Sequence, residues 1–254
     1  MGTIISVISG KGGTGKSTIS ASLSVAAAKQ GKRILLVDLD AGLCSLDLFF
    51  HMQDRIVFDL QDVCSGRCAP ADAVFAHPDY PQLSLLCAPS VDPSDFHLAD
   101  AAPLIKEYKK QFDFVILDHS AGLSASQASH LMADRTLVVV TPDLVSVRDA
   151  QRLSVLLPPE CVSLLINKIS RNAMRTGGLS DLDEAIDMAG LPLIGAVPFD
   201  PFVGDYFTGG SRFQKPVSYT HLESAKMCRD LLLRQKAGQK PVGAFTRGLY
   251  YRSI

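Results

Sequence analysis

The run Gly10-Lys-Gly-Gly-Thr-Gly-Lys-Ser17 has the spacing G-x-x-x-x-G-K-[ST] and lies between a β-branched stretch and a helix-forming one. That context suits a phosphate cradle. Gly10, Gly12, Gly13 and Gly15 let the backbone curl until several N–H groups point at one anion, and the positive end of the following helix adds to the field. Lys16 would neutralise the β- and γ-phosphates, and Ser17 would offer its hydroxyl to Mg²⁺. Asp118 closes the apolar run Phe114-Val-Ile-Leu-Asp118. A carboxylate at the C-terminal end of a strand lies on the rim where a phosphate loop places its metal, so Asp118 is the preferred outer-shell Mg²⁺ residue. Asp38 and Asp40 lie at the end of a third apolar run that starts at Leu35. Taken singly, each of these acids also reads as a strand-end or helix-capping Asp, and Lys11 as a solvated loop lysine.

The elements that must position these groups alternate. Thr3 to Ser9, Arg33 to Asp38, Leu83 to Ala88, Phe112 to Asp118, Arg135 to Thr141, Cys161 to Asn167 and Leu193 to Val197 read as strands, several apolar throughout, as strands covered on both faces are. Helices are expected near Ser17 to Gln30, Asp95 to Lys110, Ser124 to Met132, Ser146 to Leu157, Leu179 to Ala189 and Ser218 to Gln235. Gly31 suits a helix C-terminus, and Asp100-Ala-Ala-Pro103 should restrict a helix start. The β-α-β alternation implies an α/β fold with a doubly wound, mostly parallel sheet and helices on both faces. Residues 1–236 would form this domain. The linker Ala237-Gly-Gln-Lys-Pro-Val-Gly243 and the appendage Ala244 to Ile254 would follow it.

With 47% hydrophobic and 20% charged residues, the composition excludes disordered, collagen-like and coiled-coil chains. No apolar run is long enough to cross a bilayer and no signal-peptide pattern opens the chain, so a cytoplasmic location is expected. Cys44, Cys64, Cys68, Cys87, Cys161 and Cys228 are scattered without metal-site spacing and read as reduced thiols. The net charge of −1 gives no general case for nucleic-acid binding. Its distribution is uneven: Lys226 to Ile254 carries seven Lys or Arg against the single acid Asp230, leaving an acidic body. Phe245, Leu249, Tyr250 and Ile254 fall on one face of a short tail helix, weakened by Gly248.

Gly10-Lys-Gly-Gly-Thr-Gly-Lys-Ser-Thr18, with its extra lysine at position 11, resembles the deviant Walker A motif of the MinD/ParA family of P-loop ATPases. The resemblance implies an ATP-dependent homodimer in which Lys11 of one subunit reaches the phosphates bound by the other, as an arginine finger does. Leu35 to Asp47 resembles switch I of the division-site branch of that family, which implies that Asp38 serves the Mg²⁺ hydration shell and Asp40 orients the attacking water. His119-Ser-Ala-Gly122 would be switch II, with His119 a loop residue. Ile166-Asn-Lys-Ile-Ser170 and Val197-Pro-Phe-Asp200 resemble the adenine-binding positions, Asn167 on the base edge and Pro198 and Asp200 shaping the pocket. Ser170, where a guanine reader needs an Asp, favours ATP over GTP.

Division-site members end in an amphipathic membrane-targeting helix, so the resemblance gives the tail that role, on anionic lipid and cooperatively in a dimer. It also implies a MinC-like inhibitor and a MinE-like activator as partners. A flagellar-number ATPase and a ParA-type DNA-partitioning ATPase are the alternatives; the acidic body argues against the latter. Cys44-Ser45 stands where the division branch usually has Arg-Asn, and His119-Ser120 where it has Ser/Thr-Pro.

Overall fold

Runs of Val, Ile and Leu without alternation can be buried only if both faces of the sheet are covered, and the chain achieves this by crossing over through helices. The computed structural model describes residues 2–41, 45–89, 98–122 and 132–201. In chain order the elements are β1 (Thr3–Ile8), α1 (Lys16–Lys29), β2 (Ile34–Leu39), α2 (Leu46–Phe49), α3 (Leu60–Cys64), β3 (Phe75–Ala76), β4 (Leu83–Leu86) and α4 (Leu98–Tyr108). There follow β5 (Phe114–His119), β6 (Arg135–Val140), α5 (Leu144–Val155), a 3₁₀ turn at Pro159–Cys161, β7 (Val162–Ile169), α6 (Arg171–Gly177), α7 (Leu182–Ala189) and β8 (Leu193–Pro198). The sheet order is β3-β4-β2-β5-β1-β6-β7-β8, with every neighbouring pair parallel except β3 and β4.

Alternate residues of each strand enter different cores. Ile34 and Leu36 of β2 face α1, whereas Leu35, Val37 and Leu39 face Ala101, Ile105 and Tyr108 of α4. Val138 and Val140 of β6 meet Val147, Ala150 and Leu153 of α5. Helix α1 is buried nearly all round, because its Ala and Ser side chains let its backbone lie close to the sheet. Beyond the strands, Asp143, Ser170 and Asp181 start α5, α6 and α7 by accepting the N–H of Ser146, Ala173 and Glu184.

All seven expected strands form, within two residues of their expected ends. Gly31 closes α1 with φ +77° and an N–H donated to the Ala28 carbonyl. Pro103 does not mark a helix start; α4 runs through it. Both Pro103 and Ala99 are exposed, so the carbonyl that loses its helical donor meets water. The expected helices at Ser124 to Met132 (save its last residue) and Ser218 to Gln235, and the tail, lie outside the described residues.

At the β3–β4 turn, His77 is buried between Phe50 and Tyr80, and its Nδ1 accepts the N–H groups of Asp79 (3.0 Å) and Tyr80 (3.2 Å). Burial lowers its pKa, Asp79 opposing and Arg55 assisting. Below about pH 6.5 the unfolded chain therefore binds a proton that the folded chain resists, and stability falls as pH drops. His77→Asn retains an acceptor for the turn but does not titrate. Denaturant melts from pH 7 to 5 should show the wild type losing stability more steeply than His77→Asn, by up to about 1.4 kcal/mol per pH unit.

Candidate functional site

The phosphate loop connects β1 to α1, and Ser9 braces it by donating its hydroxyl to the Lys11 carbonyl at 2.7 Å. The N-cap of α1 is Gly15, which has no side chain to satisfy the first N–H groups of the helix, so these donors remain for an anion. A Cβ on Gly12 would meet no protein atom, so the bare backbone there leaves open space beside the loop. Gly15 is different: its φ is +92°, and a Cβ would collide with Nδ2 of Asn167. Gly15→Ala should therefore weaken binding of a fluorescent ATP analogue at least about tenfold, since strain of about 1–2 kcal/mol adds to a displaced Asn167. Titration of the purified variant checks this; wild-type affinity would refute it.

Lys16, 8% exposed, is buried at the base of the loop and lies close enough to Asp40, Asp118 and His119 to shift all three. Asp38 of β2 and Asp118 of β5 are register partners, both fully buried. Asp118 Oδ1 accepts from Ser20 of α1 at 2.9 Å, whereas its Oδ2 has no donor among the described residues. Burial first, and then the charge of Asp38, push the Asp118 carboxyl well above the usual range, against the neighbouring Ser17 and Ser20 hydroxyls and Lys16. Asp38 is likewise raised by burial.

Two buried carboxylates beside a Ser hydroxyl, one oxygen unpaired, fit a hard divalent cation with oxygen ligands such as Mg²⁺. The oxygens of Asp38 already accept N–H groups of Asp40 (3.0 Å), Ser45 (3.2 Å) and Leu46 (3.3 Å), which leaves them less free than Oδ2 of Asp118. Asp40 is half-buried, raised by desolvation and restrained by Lys16.

His119 is not a loop residue. It ends β5, 1% exposed, with Nε2 3.0 Å from Ser6 Oγ. Burial, with Lys16 nearby, pushes its pKa down to about 3, so it is a neutral wedge between β1 and β5.

Two connections join groups distant in the chain. Lys11 Nζ binds both oxygens of Asp143, at 2.9 and 3.0 Å. Burial would raise Asp143, but hydrogen bonds from Thr141, Lys11 and the Ser146 N–H, with the Lys11 charge, outweigh it and hold the carboxyl low. On the base side, Asn167 Nδ2 donates to the Thr14 carbonyl at 2.8 Å and Lys168 Nζ to the Gly13 carbonyl at 2.7 Å. Asn167 thus reaches the phosphate loop with its amide nitrogen. Pro198 pairs with Ile169, and Asp200 follows two residues beyond the end of β8. A cavity of about 590 Å³, lined by Lys11, Gly12, Gly13, Asp143, Lys168 and Phe199, opens beside the loop. Asp143 carries no motif of its own, and Lys168, though inside the run Ile166-Asn-Lys-Ile-Ser170, has no role assigned from the sequence.

A parallel sheet with a glycine-rich loop after its first strand, a buried lysine behind the loop and paired carboxylates at the neighbouring strand ends defines a P-loop nucleotide-binding protein. Residues 5–211 match the CobQ/CobB/MinD/ParA nucleotide binding domain, and the chain belongs to that family. It is 38% identical over 213 residues to the septum site-determining protein MinD of Bacillus subtilis (strain 168), covering 79% of this chain and 77% of that protein. Its fold superposes on MinD in the MinC:MinD cell division protein complex of Aquifex aeolicus with a TM-score of 0.79 at 28% identity, over 94% of this chain and 97% of that one. It also superposes on the septum site-determining protein MinD of Pyrococcus horikoshii OT3 complexed with Mg-ADP, with a TM-score of 0.77 at 26% identity, over 94% of this chain and all of that one.

Proposed function

We propose that this chain is a MinD-type ATPase of division-site positioning: it binds ATP with Mg²⁺, pairs with a second copy, attaches reversibly to the inner membrane surface and recruits a MinC-like inhibitor, until a MinE-like activator triggers hydrolysis. The observation that carries this is the second lysine of the phosphate loop, Lys11, in a loop whose Lys16 lies close to Asp40 and Asp118, within a chain that matches MinD proteins over most of its length.

The chain's own residues divide the work. The uncapped N–H groups at the start of α1, with Lys16, would hold the β- and γ-phosphates; Ser17 and, through water, Asp118 and Asp38 would hold Mg²⁺, which would supply charge neutralisation. Asp40 orients the attacking water, and Oδ1 of Asn167 accepts from the adenine amino group. Lys11 starts in its ion pair with Asp143, so to reach a second copy's phosphates it must exchange a carboxylate for a phosphate oxygen. Partnership with γ-phosphate would offset the lost pair, which makes the exchange depend on the nucleotide.

The membrane step rests on the basic, amphipathic tail, while among the described residues no helix is long and apolar enough to cross a bilayer. Sedimentation on anionic liposomes should pellet the full chain with ATP roughly tenfold or more better than with ADP, because a dimer engages two tails at once; a chain ending at Pro241 should stay in solution. Equal pelleting of full and truncated chains would remove the tail's role. Salt-sensitive retention on DNA without liposome binding would replace this reading by the DNA-partitioning one.

A further inference from the structure

We propose that Lys168 is a positioning residue that holds the phosphate loop in its anion-binding shape, so that its effect falls on the phosphate chain of a bound nucleotide and not on the base. The inference rests on the nucleotide reading above. Lys168 has φ +57°, a conformation that, among the described non-glycine residues, it shares only with His51. A side chain with a Cβ keeps that backbone only where its surroundings over-determine it. Here the register of β7 against β8 shifts between Ile166 and Ile169, and within that irregularity the Lys168 side chain reaches the loop.

Its ammonium donates to the Gly13 carbonyl at 2.7 Å, and its Cε lies 3.7 Å from where a Cβ on Gly15 would be. Among the described residues it has no acidic partner, so its polar contact is made to the loop backbone. The preceding Asn167 grips the next carbonyl, that of Thr14. Carbonyls at 13 and 14 that are pulled toward β7 leave the N–H groups of the same peptides facing the other way, where an anion is bound. Lys168 therefore preorganises donors that it does not itself supply.

The test compares wild type with Lys168→Met, which keeps the stem and loses the donor, and with Lys168→Asn, which tolerates the left-handed backbone but cannot reach Gly13. Both should release a fluorescent ATP analogue about tenfold faster, as loss of one charge-assisted hydrogen bond to the loop implies. Both should bind inorganic triphosphate about tenfold more weakly, and Lys168→Arg should restore both properties. Wild-type release and triphosphate affinity in Lys168→Asn and Lys168→Met would overturn the proposal. So would weakened ATP binding with triphosphate affinity unchanged, which would assign Lys168 to the base. A wild-type chain that holds neither ligand would instead remove the nucleotide reading itself.

Discussion

Lys16→Ala is expected to reduce ATP affinity by roughly 10² to 10³, measured by equilibrium titration with Mg²⁺ present. Lys16 is the buried cation directly behind the loop, and each charge-assisted hydrogen bond it gives a phosphate oxygen is worth about 1.5–3 kcal/mol. Its removal also changes the neighbouring acids. Lys16 lowers the pKa of Asp40 and Asp118 against the desolvation that raises them, so without it both carboxyls protonate more readily, and Asp118 would serve a divalent cation less well. Binding of ATP without Mg²⁺ should then suffer through the phosphates alone, and binding with Mg²⁺ should suffer more. An affinity within threefold of wild type would show that another group neutralises the phosphates.

Asp40→Ala should behave in the opposite way, binding ATP at near wild-type affinity while phosphate release under single turnover falls by about 10² or more. The substitution is clean because the backbone N–H of residue 40, which donates to Asp38 Oδ1, survives it. What is lost is a half-buried carboxylate, raised by desolvation and close to Lys16, suited to accept a hydrogen bond from water near the γ-phosphate. Turnover at the wild-type rate would take the water-orienting role away from Asp40.

The parts of this site that could be seen in the sequence are those whose chemistry is local. The loop from Gly10 to Ser17 declares itself because four residues of fixed type must fall at set spacings within eight neighbouring positions, and Asp38 and Asp118 because each lies at the end of an apolar strand. The expected strands form because their burial on both faces requires unbroken apolar runs. The short helices α2, α3 and α6 and the two-residue β3 went unseen, since none is long enough to set up a period. Asp143 and Lys168 could not be seen for another reason. Their partners in the loop are 132 and 155 residues away, and neither an aspartate at a helix start nor a lysine near the end of β7 points to such a partner by its spacing. His119 is expected in a loop because the resemblance makes it the start of switch II; burial against Ser6 keeps it in the strand.

The strand order carries a consequence for the birth of the protein. β1, which launches the phosphate loop, pairs with β5 and β6 and with no strand nearer to it in the chain. At translation rates of about 5–20 residues per second, Thr3 leaves the ribosome's active centre about 7–26 s before Arg135, its neighbouring strand's first residue, is made. The clamp on the loop from Asn167 and Lys168 comes later still. A nascent chain therefore has the complete nucleotide motif long before it has a nucleotide site, and the capacity to take up ATP arrives only when most of the domain has been synthesised.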